Sequence, residues 1–573
     1  MECQAIETVT FHGNRSAVGS LTWGQKRFYQ MYIDDGGEAY TSNIPAIYEV
    51  PIGQSVPQVL EAIQWMISQH EALRTKFRVN ELGEPEQVVT AEGDFPVEIY
   101  RTGDNDPRQA CLTVNRRHWR MCFGWDEWPI RLAIVTSGGN PRYLSIVLSH
   151  LSADEWSKQV LLEKIDEFFT GHRRECSKEF NPLDLVARQG SDSSQRRLSL
   201  SKEYWERQLQ SYPNSWFPVR GSDTGPAAIQ INAESRAITT ATRILAARYS
   251  VSTTTPIVAS FAALMALKTG RDRSGFGIYS TTRRAIEERR AIGNMYHWVA
   301  LSVSFRGVPF RDMVRRTWAS TLLAHKHSEF DWGQFPSMLH ENQVATGYTP
   351  DLDCTVNIIT REALKQPALA GECTFGEIVE MKKDSIYRRL DNGRKYSHNL
   401  YLELQEIEPS MKFSLLSALL SEAELTEFAR NLESLIVSAV SDDSLDLETI
   451  SRHLEIDPAQ VSPGLMKMGD CWVDVEVMRC AILAAFELRD GQIGLFLAPD
   501  GAGGDVRLEL FLMLDESSTT LEHIHSVCTK ALTGERFAVT PNRYVVCAAA
   551  PETPSRKAWE AQPAWADGSG RPN

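Results

Sequence analysis

The chain has 573 residues, 42% of them hydrophobic and 23% charged, which is a globular composition too long for one compact core. A net charge of −14, from 60 basic and 74 acidic residues, argues against nucleic-acid binding as a general function. The 10 cysteines include no C-x-x-C pair, so neither a zinc ribbon nor a disulfide framework is expected, and reduced thiols in the cytoplasm fit better.

In chain order, the N-terminus shows no basic region followed by an apolar stretch, so no signal peptide is expected. "SVPQVLEAIQWMISQHEALRTKF" from Ser55 predicts a helix, with Val59, Ile63, Met66, Ile67 and Leu73 at helical spacing. Strands follow in "EPEQVVT", "FPVEIY", "PIRLAIVTS" and "RYLSIVLSH". "EWSKQVLLEKIDEFF" predicts an amphipathic helix, with Trp156, Val160, Leu161, Ile165 and Phe168 on one side. The Ser-rich stretch 181–201 reads as a linker. "TPIVASFAALMALKTG" at 255–270 is too short to span a bilayer and reads as a buried helix, so no membrane partner is implied. "KYSHNLYLELQEIEPSMKFSLLSAL" predicts two strands joined near Pro409, and the helix "SEAELTEFARNLESLIVSAV" follows. A second polar linker is expected at 441–464, then a small α+β segment with a Gly-rich hairpin, "PDGAGGD". The domain boundaries expected are 1–190, 191–450 and 451–573.

His150 ends the strand "RYLSIVLSH", and Asp154 stands four residues on. A strand-to-helix turn is a common place for chemistry on a rigid scaffold. On spacing alone the plainer reading is the stronger: Ser152 or Asp154 caps the helix and His150 is incidental.

The context of that turn resembles the condensation-domain family of nonribosomal peptide synthetases, in the chloramphenicol-acetyltransferase-like superfamily. "SHLSADE" is similar to the family's H-H-x-x-x-D-G. "LTWGQKRFY" (21–29), "SQHEALRTKF" (68–77), "YWERQL" (204–209), "TPIVASFAALMALKTGRDRSGFGIYSTTRR" (255–284), "AIGNMYHWVALSV" (291–303) and "AHKHSEF" (324–330) resemble further family motifs in their family order. The resemblance covers roughly residues 18–440. It implies an α/β (α+β) fold of two acetyltransferase-like lobes in a V, with a tunnel between them and His150 near its centre.

The resemblance makes His150 the catalytic histidine. An amine attacking a thioester sheds a proton, and a neutral imidazole within reach can take that proton or hold the amine in line. The family aspartate pairs with an arginine and fixes the turn. Here that aspartate is Asp154, and its partner is Arg283 or Arg74. Ser149 replaces the first motif histidine, a mostly structural residue in the family. Glu155 replaces the motif glycine, and it either enters the tunnel, where no basic neighbour is evident in the motif, or starts the helix facing outward. His297 stands where the family has Asn, as a second polar group of the tunnel or, the favoured reading, a satisfied core histidine. Trp298 is expected to pack beside it.

Residues 537–561 and 469–484 resemble, more faintly, the small subdomain of acyl-adenylating enzymes. Lys557 falls at the adenylation lysine, with Arg556 in place of the preceding glycine. The large ATP-binding subdomain has no counterpart. The segment is expected to be a relic or docking module, removable after about residue 455, or a complement to a separate adenylating enzyme.

The expectation is a free-standing condensation enzyme of secondary metabolism. It would join an acyl or aminoacyl thioester on a carrier protein to a small-molecule or carrier-bound amine, with ester formation as the lesser option. No metal and no cofactor of the protein's own is implied; the phosphopantetheine arm belongs to the carrier. The alternative is a catalytically altered platform that recruits a tailoring enzyme or carrier. Glu155 and Gln69, the latter in place of a family arginine, favour the alternative; His150 and Asp154 speak for the enzyme.

Overall fold

The computed structural model describes residues 3–34, 43–171, 179–221, 228–359, 373–390, 398–500, 505–514 and 520–571. The chain forms two compact units. The first comprises residues 1–202 with two later excursions of the chain, 280–298 and 327–334; the second comprises 203–279, 299–326 and 335–573.

The first unit is built on a five-stranded sheet with spatial order Cys3–His12, Glu92–Arg101, Ile130–Ser137, Asn140–Leu148, Ile44–Glu49. Ile130–Ser137 and Asn140–Leu148 are almost continuously buried, as central strands must be. They form an antiparallel hairpin whose register puts Ser137 opposite Asn140. The two residues between them, Gly138 and Gly139, both have positive φ (58° and 84°), which glycine adopts without a Cβ penalty. Two helices bury their apolar faces on one core with this sheet. In Val56–Gln69, Ser55 and Gln58 form a capping box, and Val59, Ile63, Met66 and Ile67 are buried. In Glu155–Phe169, Val160, Leu161, Ile165 and Phe168 are buried.

The predicted helix through Phe77 is shorter than expected. It ends at Gln69, Leu73 is buried in a separate 3-10 turn, Glu71–Arg74, and Phe77 belongs to the strand Thr75–Val79. Antiparallel pairing of that strand with Pro85–Val89 outweighs the helical spacing. The stretch expected as a linker at 181–201 is helical, as Pro182–Gln189 and the start of Asp192–Ser211. Asn181 and Asp184 form a capping box, Pro182 sits in the first turn, and Leu185 and Leu198 are buried, so the polar composition marks helix ends and outer faces.

The second unit carries a seven-stranded sheet with order Tyr296–Ser304, Arg273–Thr281, Cys354–Ile358, Leu400–Glu406, Met411–Ser417, Ile229–Ser235, Ile386–Arg389. Thr255–Lys268 is buried on nearly every side, as its apolar sequence requires. Strands Leu400–Glu406 and Met411–Ser417 pair antiparallel around Pro409, and Glu422–Ser441 follows behind a Ser421–Glu424 capping box. No helix among the described residues is long and apolar enough to cross a membrane.

The C-terminal segment has a four-stranded sheet, Ile493–Asp500, Asp505–Met513, Arg543–Cys547 and Ala564–Gly568, packed with helices Val475–Ala485 and Leu521–Leu532. The Gly-rich turn at 501–504 lies outside the described residues. The second expected linker is partly helical, as Leu447–His453, with Ile450 and Ile456 buried. The segment is no detached appendage of its unit. Asn214 exchanges two hydrogen bonds with the backbone of Trp472 (2.7 and 2.9 Å), Arg271 and Arg273 pair with Asp470, and the Thr540 amide donates to Gly347 O (2.6 Å).

Candidate active site

The strand Asn140–Leu148 ends in a tight turn that the first unit holds from several sides. The carbonyl of Ser149 accepts from the amides of Ser152 and Ala153 (3.0 and 3.1 Å), while its own amide donates to Pro129 O (2.9 Å). Asn294 Nδ2 donates to His150 O (2.6 Å). The His150 backbone is therefore fixed by a residue far along the chain.

The imidazole is fixed as well. Phe28, from the helix Trp23–Asp34, stacks on it with ring centroids 4.0 Å apart. The backbone of His150 and Ala153 lies close enough to the ring to favour its protonated form, and the ring lines a cavity. Burial pushes the His150 pKa down to about 4 and the Arg27 guanidinium adds to that, against the pull of the Asp154 carboxylate. The ring is neutral at physiological pH, with a lone pair on one nitrogen.

Asp154 caps the helix Glu155–Phe169, as the plainer reading expected, and it also does more. Its Oδ1 accepts from the amide and hydroxyl of Ser157, both at 2.8 Å. Its Oδ2 accepts from the Met295 amide (2.9 Å) and from Arg283 Nη1. Arg283 Nη2 donates to Ser157 Oγ (3.0 Å) and Gly293 O (2.8 Å), and both charged side chains are wholly buried. The structure thus brings Arg283 to Asp154, and not Arg74.

Arg74 holds a different corner of the first unit. Its Nη1 donates to Arg15 O (2.9 Å) and Thr90 O (2.7 Å), with Glu71 3.8 Å from Nη2. Gly13 permits this arrangement: a Cβ there would stand 2.3 Å from the Arg74 guanidinium carbon.

The remaining candidates divide. Glu155 begins the helix, where a carboxylate suits the positive helix end, and pairs with Lys158 one turn on. The motif itself holds no basic neighbour, and helical spacing supplies one just beyond it. His297 is buried, as a core histidine would be, but its Nδ1 has no hydrogen-bond partner, so it is not a satisfied one. Burial lowers its pKa to about 4 against the pull of Glu329. Trp298 packs: Arg27 lies over it and over Trp332, its guanidinium carbon 5.5 and 5.1 Å from the two ring centroids.

Beside His150 lies a cavity of about 570 Å³, its open mouth included. Ser149, His150 and Leu151 form one wall, and Phe28, Tyr32, Phe77, Phe123 and Trp125 supply aromatic surface. Glu155, His297 and Trp298 are not among the described residues that line it. Sequence reasoning passed over Phe28, Asn294 and Trp125. Phe28 and Asn294 lie inside "LTWGQKRFY" and "AIGNMYHWVALSV", stretches that resemble family motifs, but at positions that carry no chemistry signal of their own, and Trp125 is one of several tryptophans in its region.

The family profile described as "Condensation domain" matches residues 17–459, more than half of the chain. The chain belongs to the condensation-domain family. Condensation domains are acyltransferases that form amide bonds in nonribosomal peptide synthesis. Among curated relatives, malpinin synthetase of Mortierella alpina is 24% identical over 344 residues, 55% of this chain and 4% of that protein. Bacitracin synthase 3 of Bacillus licheniformis is 22% identical over 336 residues, 56% of this chain and 5% of that protein. The chain thus spans only a small part of these relatives. Among solved structures, the SgcC5 protein from Streptomyces globisporus superposes with a TM-score of 0.57 at 16% identity, covering 75% of this chain and 100% of that one. The condensation domain from the Monacolin K polyketide synthase MokA gives 0.58 at 14% identity, covering 76% and 100%. These likenesses show the mixed α/β, two-lobed condensation fold.

Proposed function

We propose that this condensation-domain protein transfers an acyl or aminoacyl group from a carrier-protein thioester to an amine, with His150 as the catalytic residue. The observation that carries the reading is a neutral, ring-stacked imidazole that lines a cavity at the end of a buried strand. The amine nitrogen attacks the thioester carbonyl, the C–N bond forms, and the C–S bond breaks. The proton leaving nitrogen ends on the departing pantetheine thiol. With a pKa near 4, His150 is a weak base at neutral pH and a good hydrogen-bond acceptor, so its part is to hold the amine N–H in line and pass the proton on. Thioester aminolysis is already downhill, so positioning of the two reactants supplies most of what is needed. Asp154 and Arg283 act through the turn they fix and touch no reactant.

The reading calls on no metal or cofactor of the chain's own, and the phosphopantetheine comes with the carrier partner. Glu155, the residue that argued for a recruiting platform, is drawn into a pair with Lys158. Residues 451–573 we read as a docking module or a relic of an adenylating small subdomain. Lys557 is exposed on a short helix, and Arg556 beside it is tied to the buried Glu509 (2.8 Å). Intact-mass analysis of loaded carriers incubated with the protein and a panel of amines tests the function. Loss of the acyl mass from the carrier with appearance of the amide is expected; carriers that stay loaded with every amine would overturn it.

A further inference from the structure

The cavity at His150 has mostly aromatic walls. The accessible imidazole shares it with the faces and edges of Phe28, Tyr32, Phe77, Phe123 and Trp125. A neutral base could sit in an open polar cleft. This one sits against an aromatic recess that opens to solvent.

The recess is propped open. Trp125 stands edge-on to Tyr32, with centroids 5.0 Å apart, and leans on Tyr29 at 5.1 Å. Its carbonyl accepts from the Phe77 amide (2.9 Å), which ties its loop to the strand Thr75–Val79. Arg131 pins the same loop from behind. Its guanidinium donates to the carbonyls of His118, Met121 and Cys122 (3.1, 2.7 and 2.6 Å) and to the carboxylate of Glu127, and it covers the ring of Phe123 at 3.9 Å. Walls held this firmly do not collapse to fill the space, so an apolar occupant gains contact area at little cost in ordering.

The polar groups at the rim are already engaged. Tyr32 Oη donates to Phe123 O (3.3 Å), Asn43 Nδ2 donates to Trp119 O and Met121 O (3.0 and 2.8 Å), and Glu127 is held by Arg131. An anionic side group entering here would lose water beside the Glu127 carboxylate, which is costly. A ring or compact branched chain would lose nothing and bury its surface.

We propose that this recess is a specificity subsite for an apolar side group, aromatic or compact and branched, on one of the two molecules joined beside His150. The inference rests on the condensation reading and names the substrate class that reading leaves open. The group reaches the recess from the acyl donor or from the amine acceptor, and the chemistry that recognises it is the same.

The test uses the full chain with N-acetylcysteamine thioesters as donors, so that no carrier need be known. Phenylacetyl, isovaleryl, acetyl and succinyl thioesters are each paired with glycinamide. In a second arm the acetyl thioester is paired with the amides of phenylalanine, leucine, glycine and glutamate. In one arm kcat/KM for the aromatic or branched group should exceed that for the small or charged group by about tenfold or more. The donor arm showing this places the group on the donor, and the acceptor arm places it on the acceptor. Trp125→Ala, which removes a wall, and Leu151→Phe, which narrows the recess, should each cut that ratio by about tenfold; if one variant does not fold, the other carries the comparison. Measurable transfer with flat selectivity in both arms would overturn the subsite and leave the condensation reading standing. Should the chain transfer from no donor, saturable binding of N-propyl phenylacetamide by saturation-transfer NMR, weakened in either variant, would still support the recess as an apolar site. Absence of such binding would overturn it.

Discussion

The ring of Phe28 lies against the imidazole of His150, 4.0 Å between centroids and 23° between planes. Stacking holds the ring in one orientation and shields one face from water, so the same contact orients the imidazole and helps keep the group neutral.

His150→Ala should abolish amide formation while moving the melting temperature by only a few degrees. The side chain forms no ion pair or side-chain hydrogen bond that its loss would strand, only a ring contact with Phe28 and backbone neighbours at His150 and Ala153. Product mass and thermal melting check both halves, and near-normal turnover would remove His150 from the mechanism.

Asp154→Ala should cost about 3–5 kcal/mol, because it leaves the wholly buried Arg283 guanidinium without its carboxylate. Arg283→Met should also destabilise, since the buried Asp154 carboxylate then keeps only its bonds to Ser157 and Met295. Arg74→Met should destabilise without changing the pH profile of activity, because Arg74 serves another corner of the unit. Urea unfolding of the three variants orders them.

Stability should fall on acidification from about pH 6.5 toward pH 4. His70, His150 and His297 each have a folded pKa of about 4, lowered by burial from 6.5. Between those values the unfolded chain binds protons that the folded chain does not, so stability rises with pH there and levels off above the unfolded value. Histidine-to-glutamine variants at 70 and 297 should flatten the slope, read from melting temperatures across the range.

Glu155→Gly should leave the pH profile and the choice between cationic and neutral acceptors unchanged. Lys158 pairs with the carboxylate, and Glu155 is not among the charges that shift His150. A loss of about 1 kcal/mol is expected, from poor helix propensity and a lost charge at the helix start. A pH optimum displaced to lower values would show the carboxylate acting on His150 after all.

Truncation after residue 455 should lower the melting temperature markedly, or give insoluble protein. It strips Asp470 from Arg271, whose side chain is only 4% exposed, and removes both hydrogen bonds of Asn214 to Trp472. A truncated chain as stable as the parent would restore the view of the segment as a removable appendage.

The residues of the turn were legible in the sequence. "RYLSIVLSH" followed by "EWSKQVLLEKIDEFF" specifies a buried strand, a turn and an amphipathic helix, because the periods of apolar residues differ between the two. The largely apolar 255–268 helix was equally local, and local chemistry decides it. The linker reading of 181–201 failed because burial of a few residues such as Leu185 and Leu198 is enough to dock a polar helix, and composition averages that away. The choice between Arg283 and Arg74 was beyond sequence, since both are basic residues in plausible motifs. Only the return of residues 280–298 into the first unit puts one guanidinium against Asp154, 129 residues away along the chain. The same holds for Asn294 on the His150 carbonyl and for the aromatic recess, whose walls come from separate helices, strands and loops. Spacing along one element fixes what that element buries; which distant elements meet is fixed by the packing of the whole.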